Sequence, residues 1–211
     1  MNDSQFKRTR NALNAWLLQR AENTMNRIYG ARKRAIYREL PSTVVEIGPG
    51  AGANLRYYEP RTRLIAIEPN PAMHQRLRKK ALRHAIDLQI KSARGEKIDL
   101  PDDSIAAVVG TLVLCSVDNP RQVVSEVHRI LRPGGRFIFL EHVAGLPGTP
   151  LRGLQDYLRH GWSWIFDGCH LNRETHRVIE QAGFSKVEMD CFMMKSKLLP
   201  FAPHIFGVAV K

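Results

Sequence analysis

The chain has 211 residues, of which 44% are hydrophobic and 25% are charged, and this usage is ordinary for a globular protein with one sizeable core. No run of eighteen apolar residues occurs, so the sequence predicts no membrane-spanning helix. The formal net charge of +12 allows contact with nucleic acid, an anionic membrane surface or an acidic partner, but a solvated helix face is the commoner cause of such an excess.

The basic charge is concentrated at the N-terminus, where residues 1–40 hold 9 basic and 3 acidic side chains. Apolar residues recur there with mostly helical spacing. Residues 1–40 are therefore predicted to form an amphipathic helical arm that breaks at Gly30 and stops before Pro41. The arm lacks the features of a secretory signal, so we expect a cytoplasmic protein.

Beyond residue 41, short β-branched runs alternate with helical segments. The predicted strands are residues 43–47, 63–68, 86–91, 105–113, 136–141, 186–192 and 205–210. The main predicted helices are residues 71–84, 120–131 and 172–182, and residues 145–167 are assigned no element. This order predicts an α/β fold with a doubly wound, mostly parallel, seven-stranded sheet. The last two strands have no helix between them, so they are expected to pair antiparallel.

The first strand leads into a glycine-rich turn that contains Gly48, Gly50 and Gly52. Glycine lets the backbone approach a nucleoside closely, and an acidic residue at the tip of the second strand can accept hydrogen bonds from both ribose hydroxyls. Glu68 occupies that tip, twenty residues after Gly48. The sequence therefore predicts a nucleoside site at the carboxyl edge of the sheet.

A nicotinamide oxidoreductase is the competing interpretation, because the glycine spacing also fits a dinucleotide-binding turn. A short-chain oxidoreductase needs a Tyr-x-x-x-Lys pair after the fourth strand. The only such spacing in this chain, Tyr29 to Lys33, precedes the glycine turn. The order of the motifs therefore disfavours this class.

Four motifs occur in an order that resembles class I S-adenosylmethionine-dependent methyltransferases, whose fold is Rossmann-like. They are the Glu-x-Gly-x-Gly-x-Gly turn, the acidic end of the second strand, Gly95-Glu96, and the helix-ending segment 131–135. The resemblance covers residues 43–143 and implies S-adenosylmethionine as the cofactor. The residues that it implies for cofactor binding are Glu46, Gly48, Gly50, Gly52, Glu68, Pro69, Gly95, Glu96 and Leu112. Arg94 stands where many relatives carry aspartate, and Glu96 is the expected substitute at the adenine.

The second half of the chain resembles a narrower family, the methyltransferase-like 7 group, whose animal members are thiol S-methyltransferases. The resemblance rests on residues 111–117, 141–143, 167–174 and 203–211. It implies a methyltransferase domain over residues 41–211 that methylates the sulfur of a small thiol or dithiol. The animal enzymes begin with a hydrophobic anchor, whereas this chain begins with a polar, basic helix. Membrane residence is therefore not implied, and a weak peripheral contact through the arm stays open.

Methyl transfer requires little acid–base machinery, because the cofactor supplies the activated carbon and the protein supplies alignment. His142, at the tip of the fifth strand, is the candidate base for a thiol, with pocket shaping as its alternative. Asp167 is the second catalytic candidate. The candidate substrate-binding residues are Tyr29, Cys115, Trp162 and His170. The N-terminal arm is expected to fold over the site as a lid.

Other functions stay lower in rank. Cys115, Cys169 and Cys191 lack Cys-x-x-Cys spacing, so their pattern predicts no disulfide framework and no metal site. Nucleic-acid methylation is disfavoured, because residues 114–117 lack the Pro-Pro-aromatic motif that grips a flipped base. Methylation of a phospholipid or quinone is the runner-up, since a basic arm can meet an anionic bilayer. A non-catalytic nucleoside-binding module ranks last.

Overall fold

A computed structural model of the chain describes residues 26–166, 168–194 and 199–211. The strands are β1 (Thr43–Ile47), β2 (Arg63–Ile67), β3 (Asp87–Lys91), β4 (Ile105–Thr111), β5 (Leu131–His142), β6 (Lys186–Met193) and β7 (Pro203–Val210). The helices are α1 (residues 26–37), α2 (Pro71–Arg83), α3 (Pro120–Ile130), α4 (Pro150–Ile165) and α5 (Thr175–Glu180), with short 3-10 turns at Leu55–Tyr57 and Leu199–Phe201.

The seven strands form one sheet in the order β3-β2-β1-β4-β5-β7-β6. Neighbouring strands from β3 to β5 run parallel, whereas β7 pairs antiparallel with both β5 and β6. This confirms the predicted doubly wound fold and its C-terminal antiparallel pair. The strand order reverses between β1 and β4, and folds of this kind bind ligands in the crevice at such a point.

The sheet is buried on both faces at its centre, as the unbroken apolar run of β4 predicted. Val108 packs with Val45 and Phe137 on one face, while Val109 packs with Val44 on the other. Full burial of such side chains stabilises the fold by about 1.5–3 kcal/mol each. The carboxyl ends of β1, β4 and β5 are thereby held on a rigid frame.

Helix α1 is continuous through Gly30, so the predicted break at this glycine is wrong. A Cβ at Gly30 would lie 3.0 Å from Asn26 Oδ1 and 3.5 Å from the Tyr57 hydroxyl oxygen. Tyr57 donates a hydrogen bond to the Asn26 side chain across this gap. Because Gly30 has no side chain, the Tyr57 side chain can pack against α1. The rest of the predicted arm, and with it the predicted lid, lies in residues 1–25, outside the described residues.

Helix α4 occupies a region to which the sequence assigned no element. Its start carries a recognisable signal: Thr149 precedes Pro150, and the Thr149 hydroxyl accepts a hydrogen bond from the Arg152 amide at 3.3 Å. Glycines and aromatic residues within the segment obscured the pattern. Among the described residues, neither α4 nor any other helix is long and apolar enough to span a bilayer.

Two predicted boundaries also shift. Helix α5 begins at Thr175 and not at Asn172. The Asn172 side chain does not cap the helix, because its Nδ2 donates a hydrogen bond to Asp156 Oδ1 at 2.7 Å. Strand β5 begins at Leu131, five residues before its predicted start, because Leu131 pairs with Ile105 ahead of a register shift in β4.

We expect Gly207→Ala to lower the free energy of unfolding by about 2–3 kcal/mol, because overpacking a filled site forces its neighbours to move. A Cβ there would overlap the Glu188 carbonyl oxygen and lie 2.7 Å from Phe139 Cζ. Urea unfolding measures the change. The matched control is Gly161→Ala in α4, where no described residue has an atom within 4 Å of the Cβ position and alanine adds up to about 1 kcal/mol of stability. Equal stability of the two variants would contradict this packing.

Candidate active site

Except for Glu46, which lies in β1, the predicted cofactor residues are in turns that follow strands. Residues 48–54 follow β1, 68–70 follow β2, 94–96 follow β3 and 112–117 follow β4. Because the carboxyl ends of parallel strands share one edge of a sheet, the fold brings these turns together.

The three glycines of the first turn have different surroundings. Gly48, Gly50 and Gly52 have φ values of 61°, 56° and 81°, which favour glycine. A Cβ on Gly48 would overlap the Val113 side chain, and one on Gly52 would lie 2.8 Å from Leu55 Cδ1. Among the described residues, no atom lies within 4 Å of the Cβ position at Gly50. Gly50 therefore forms an open cradle, while the other two glycines permit close packing.

Glu68 is fixed beside this cradle by two backbone amides. Its Oε2 accepts a hydrogen bond from Gly50 N at 2.9 Å, and its Oε1 accepts one from Asn70 N at 2.9 Å. Each carboxylate oxygen retains acceptor capacity. The pair of oxygens thus matches the two hydroxyls of a ribose lying in the Gly50 cradle.

Glu46 supports the glycine turn from the interior. It is fully buried, and its carboxylate accepts hydrogen bonds from Asn54 Nδ2 at 2.7 Å and from the Tyr58 hydroxyl at 2.9 Å. Burial raises the pKa of Glu46, and these two hydrogen bonds oppose the rise. The contacts of Glu46 therefore stabilise the glycine turn.

Lys33 extends this network to helix α1 and was not predicted as a site residue. Its ammonium donates to Asn54 Oδ1 at 2.6 Å. Burial lowers its pKa to about 8, while the nearby carboxylates of Glu46 and Glu141 oppose the drop. A sequence signal exists, since Tyr29, Lys33 and Tyr37 recur every four residues and form one buried stripe of α1.

The buried lysine gives an expected pH dependence of stability. Its folded pKa is below its unfolded value, so between pH 8 and 10 the unfolded chain binds a proton that the folded chain lacks, and stability rises with pH. Relative to Lys33→Met, the wild type should gain on the order of 2 kcal/mol over this range. Urea unfolding at several pH values measures it. The exposed neighbour Arg34→Met is the control and should follow the wild type; a Lys33→Met curve parallel to the wild type would contradict the assignment.

The turn after β3 is tied to the start of α3. Gly95 is buried, and a Cβ there would lie 3.0 Å from Ile47 Cγ2. Glu96 Oε1 accepts a hydrogen bond from Asn119 N at 3.2 Å, and Arg94 forms an ion pair with Asp118. An adenine contact of Glu96 remains a prediction.

The turn after β4 contains a strained residue and a buried acid. Leu112 has a positive φ of 52°, which is unusual outside glycine and is found at functional turns. The following amides, Val113 N and Leu114 N, donate to Glu141 Oε1 at 3.0 and 3.1 Å. Burial raises the pKa of Glu141 to about 7. Its Oε2 has no hydrogen-bond partner among the described residues, so it can accept a donor from a bound ligand.

Next to this turn, Cys115, His142 and Cys169 form a buried cluster, called here the Cys-His-Cys cluster. One sulfur or nitrogen atom from each lies within 4.8 Å of the others. His142 Nε2 is 3.0 Å from Cys169 Sγ, and Trp162 Nε1 donates to the same sulfur at 3.3 Å. The hydrogen bond from Cys115 lowers the pKa of Cys169, and the Trp162 N–H acts in the same direction. Cys169 is the member of the cluster that was not predicted as a site residue.

The sequence profile of a methyltransferase domain family matches residues 45–139. Thiol S-methyltransferase TMT1B of Rattus norvegicus is 43% identical over 172 residues, which are 80% of this chain and 70% of the relative. The human TMT1B is 39% identical over 197 residues, or 88% and 81% of the two chains. The chain belongs to the methyltransferase-like 7 group of S-adenosylmethionine-dependent methyltransferases.

The solved structures agree with the class I methyltransferase fold. An S-adenosylmethionine-dependent methyltransferase from Thermotoga maritima, described as a possible histamine N-methyltransferase, superposes with a TM-score of 0.66 at 19% identity, over 93% of this chain and 97% of the other. The family to which the chain belongs uses S-adenosylmethionine as its cofactor, and the open Gly50 cradle beside the Glu68 carboxylate fits the ribose of this cofactor.

The remaining candidates of this methyltransferase are Tyr29, His170 and Asp167. Tyr29 donates from its hydroxyl to His204 Nε2 at 2.7 Å. The Phe201 ring contacts the rings of both His204 and His142, at centroid distances of 4.9 and 4.6 Å. His170 is exposed and lines a cavity of about 570 Å³ together with Gly168 and Asn172. Asp167 lies outside the described residues, so its predicted role stays untested.

Proposed function

We propose that this protein transfers the methyl group of S-adenosylmethionine to the sulfur of a small thiol or dithiol. The observation that carries the proposal is the Cys-His-Cys cluster, which is buried at the ends of β4 and β5, immediately after the strained turn at Leu112. The relatives named thiol S-methyltransferases support the same acceptor class.

The cofactor supplies a methyl group on a positively charged sulfur, which is activated for in-line displacement by a nucleophile. The chain supplies its position. Glu68 and the Gly50 cradle hold the ribose. The Asn54 side chain binds both Glu46 and Lys33, and these contacts keep the glycine turn in place. Preorganised contacts of this kind lower the entropy cost of bringing the two reactants together.

A fixed positive charge lies at the acceptor end of the site. Arg173 donates from Nη1 to the carbonyls of Leu114 and Val117 at 2.7 Å each, so its positive charge is fixed beside the turn that carries Cys115. This guanidinium also contributes to the lowered pKa of Cys169. A positive field raises the fraction of an acceptor thiol that is ionised at neutral pH, and the thiolate is the nucleophile.

The acceptor class is tested by incubating the protein with S-adenosylmethionine and separate acceptors, followed by mass spectrometry of the products. The acceptors are an aliphatic thiol, a dithiol, a quinol and vesicles of phosphatidylethanolamine. We expect one added methyl group on the thiol and on one sulfur of the dithiol. Methylation of the lipid or the quinol alone would contradict the proposal, and so would firm cofactor binding without transfer to any acceptor.

A further inference from the structure

The members of the Cys-His-Cys cluster come from three separate places in the fold. Cys115 follows β4, His142 ends β5, and Cys169 lies in the loop after α4. All three are buried, and one donor atom of each lies within 4.8 Å of the others. We propose that these residues bind one zinc ion, whose fourth coordination position takes the sulfur of the acceptor thiol. The role given to the acceptor rests on the proposed function.

The donor set fits zinc. Two thiolates and one imidazole are ordinary zinc ligands, and three protein ligands with one open position is the arrangement of catalytic zinc sites. The divalent ion balances the charge of the two thiolates, so the buried centre is neutral, as burial in a low-dielectric interior requires. The thiolate of an acceptor adds one negative charge, which the half-buried Arg173 guanidinium can offset.

The backbone around the three donors is fixed without a metal. His170 N donates to Cys115 O at 2.8 Å, and Cys169 N donates to Phe166 O at 3.1 Å. Arg173 lies in the same loop, and its side chain donates a hydrogen bond to Leu114 O in the turn after β4. The Trp162 N–H donates to the Cys169 sulfur, a contact that orients a ligand from outside the coordination sphere. The site is thus preorganised for an ion.

Zinc would lower the pKa of a bound acceptor thiol, whose proton is released to solvent as the zinc–sulfur bond forms. A lone pair of that sulfur then forms a bond to the methyl carbon, and the bond between this carbon and the cofactor sulfur breaks. The products are the methyl thioether and S-adenosylhomocysteine. A neutral thioether is a weaker zinc ligand than a thiolate, so the product can leave.

The test measures bound metal in the 211-residue chain by plasma mass spectrometry after incubation with zinc and removal of free ions. We expect one zinc per wild-type chain, and a loss of at least 90% in Cys115→Ser and Cys169→Ser. The control is Cys191→Ser, an exposed cysteine outside the cluster that should retain the metal. Replacement of zinc by Co²⁺ should produce a sulfur-to-cobalt charge-transfer band that both cluster variants lose. Cofactor binding by calorimetry verifies that each variant is folded.

The proposal is overturned if folded wild-type protein binds no zinc, if Cys169→Ser retains it, or if intact mass shows a Cys115–Cys169 disulfide in place of the metal. Metal content is measured without an acceptor, so failure here is separable from failure of the proposed function. Thiol methylation by zinc-free protein would reject the role of zinc in acceptor binding and leave the proposed function standing. A zinc site without thiol methylation would reject the acceptor role.

Discussion

Glu68→Ala is expected to weaken the binding of S-adenosylmethionine about 30- to 100-fold. A hydrogen bond to a charged group contributes about 1.5–3 kcal/mol, and this carboxylate is the acceptor placed to meet the ribose hydroxyls. The change also leaves Gly50 N and Asn70 N without their acceptor, which loosens the cradle itself. Isothermal titration calorimetry gives the dissociation constant directly.

Two further variants separate this role from a general loss of charge. Glu180→Ala removes an exposed carboxylate at the end of α5 and should bind the cofactor like the wild type. Glu68→Gln retains one acceptor oxygen and should lie between the wild type and Glu68→Ala. An unchanged dissociation constant in folded Glu68→Ala would refute the assignment of Glu68 to the ribose.

His142→Gln is expected to lower the turnover of a thiol acceptor at least 100-fold, while cofactor affinity changes less than about two-fold. The imidazole lies 3.0 Å from Cys169 Sγ, so its loss disrupts the cluster that we assign to the acceptor. Removal of a positioned acid–base group commonly costs about 10²–10⁴ in rate, and removal of a metal ligand has a similar consequence. Single-turnover kinetics at saturating cofactor isolates this step.

The comparison for this variant is His128→Gln, a histidine of α3 that packs against Phe184 away from the cluster. It should retain full turnover. Wild-type turnover in His142→Gln with intact cofactor binding would place the acceptor elsewhere at the sheet edge.

The fold could be predicted from the sequence because its signals are local. Each central strand is a β-branched apolar run, and the start of α2 and of α3 carries an Asn-Pro pair that caps the helix. The same rule applied to Thr149-Pro150 would have found α4. Gly30 shows the opposite error. In the sequence this glycine resembles a helix break, but in the structure it leaves room for the Tyr57 side chain beside a continuous helix.

The cofactor edge could also be predicted from the sequence, because Gly48 follows β1 and Glu68 follows β2, the next strand along the chain. The Cys-His-Cys cluster could not, since Cys115 and Cys169 are 54 residues apart and meet only because the loop after α4 returns to the β4 turn. Lys33 had a weaker signal, because only its position between Tyr29 and Tyr37 at four-residue spacing distinguishes it from the other basic residues of the arm. The lid, the domain boundary at residue 41 and the cytoplasmic location remain predictions.

Methyl transfer to sulfur is tested most directly with acceptors that differ only in the attacking atom. 2-Mercaptoethanol, ethanolamine and ethylene glycol are incubated separately with the protein and S-adenosylmethionine that carries a deuterated methyl group, and the labelled products are quantified. We expect label on sulfur, with kcat/KM for the thiol at least 100-fold above that for the amine and the alcohol. Equal or faster labelling of nitrogen or oxygen would contradict this expectation.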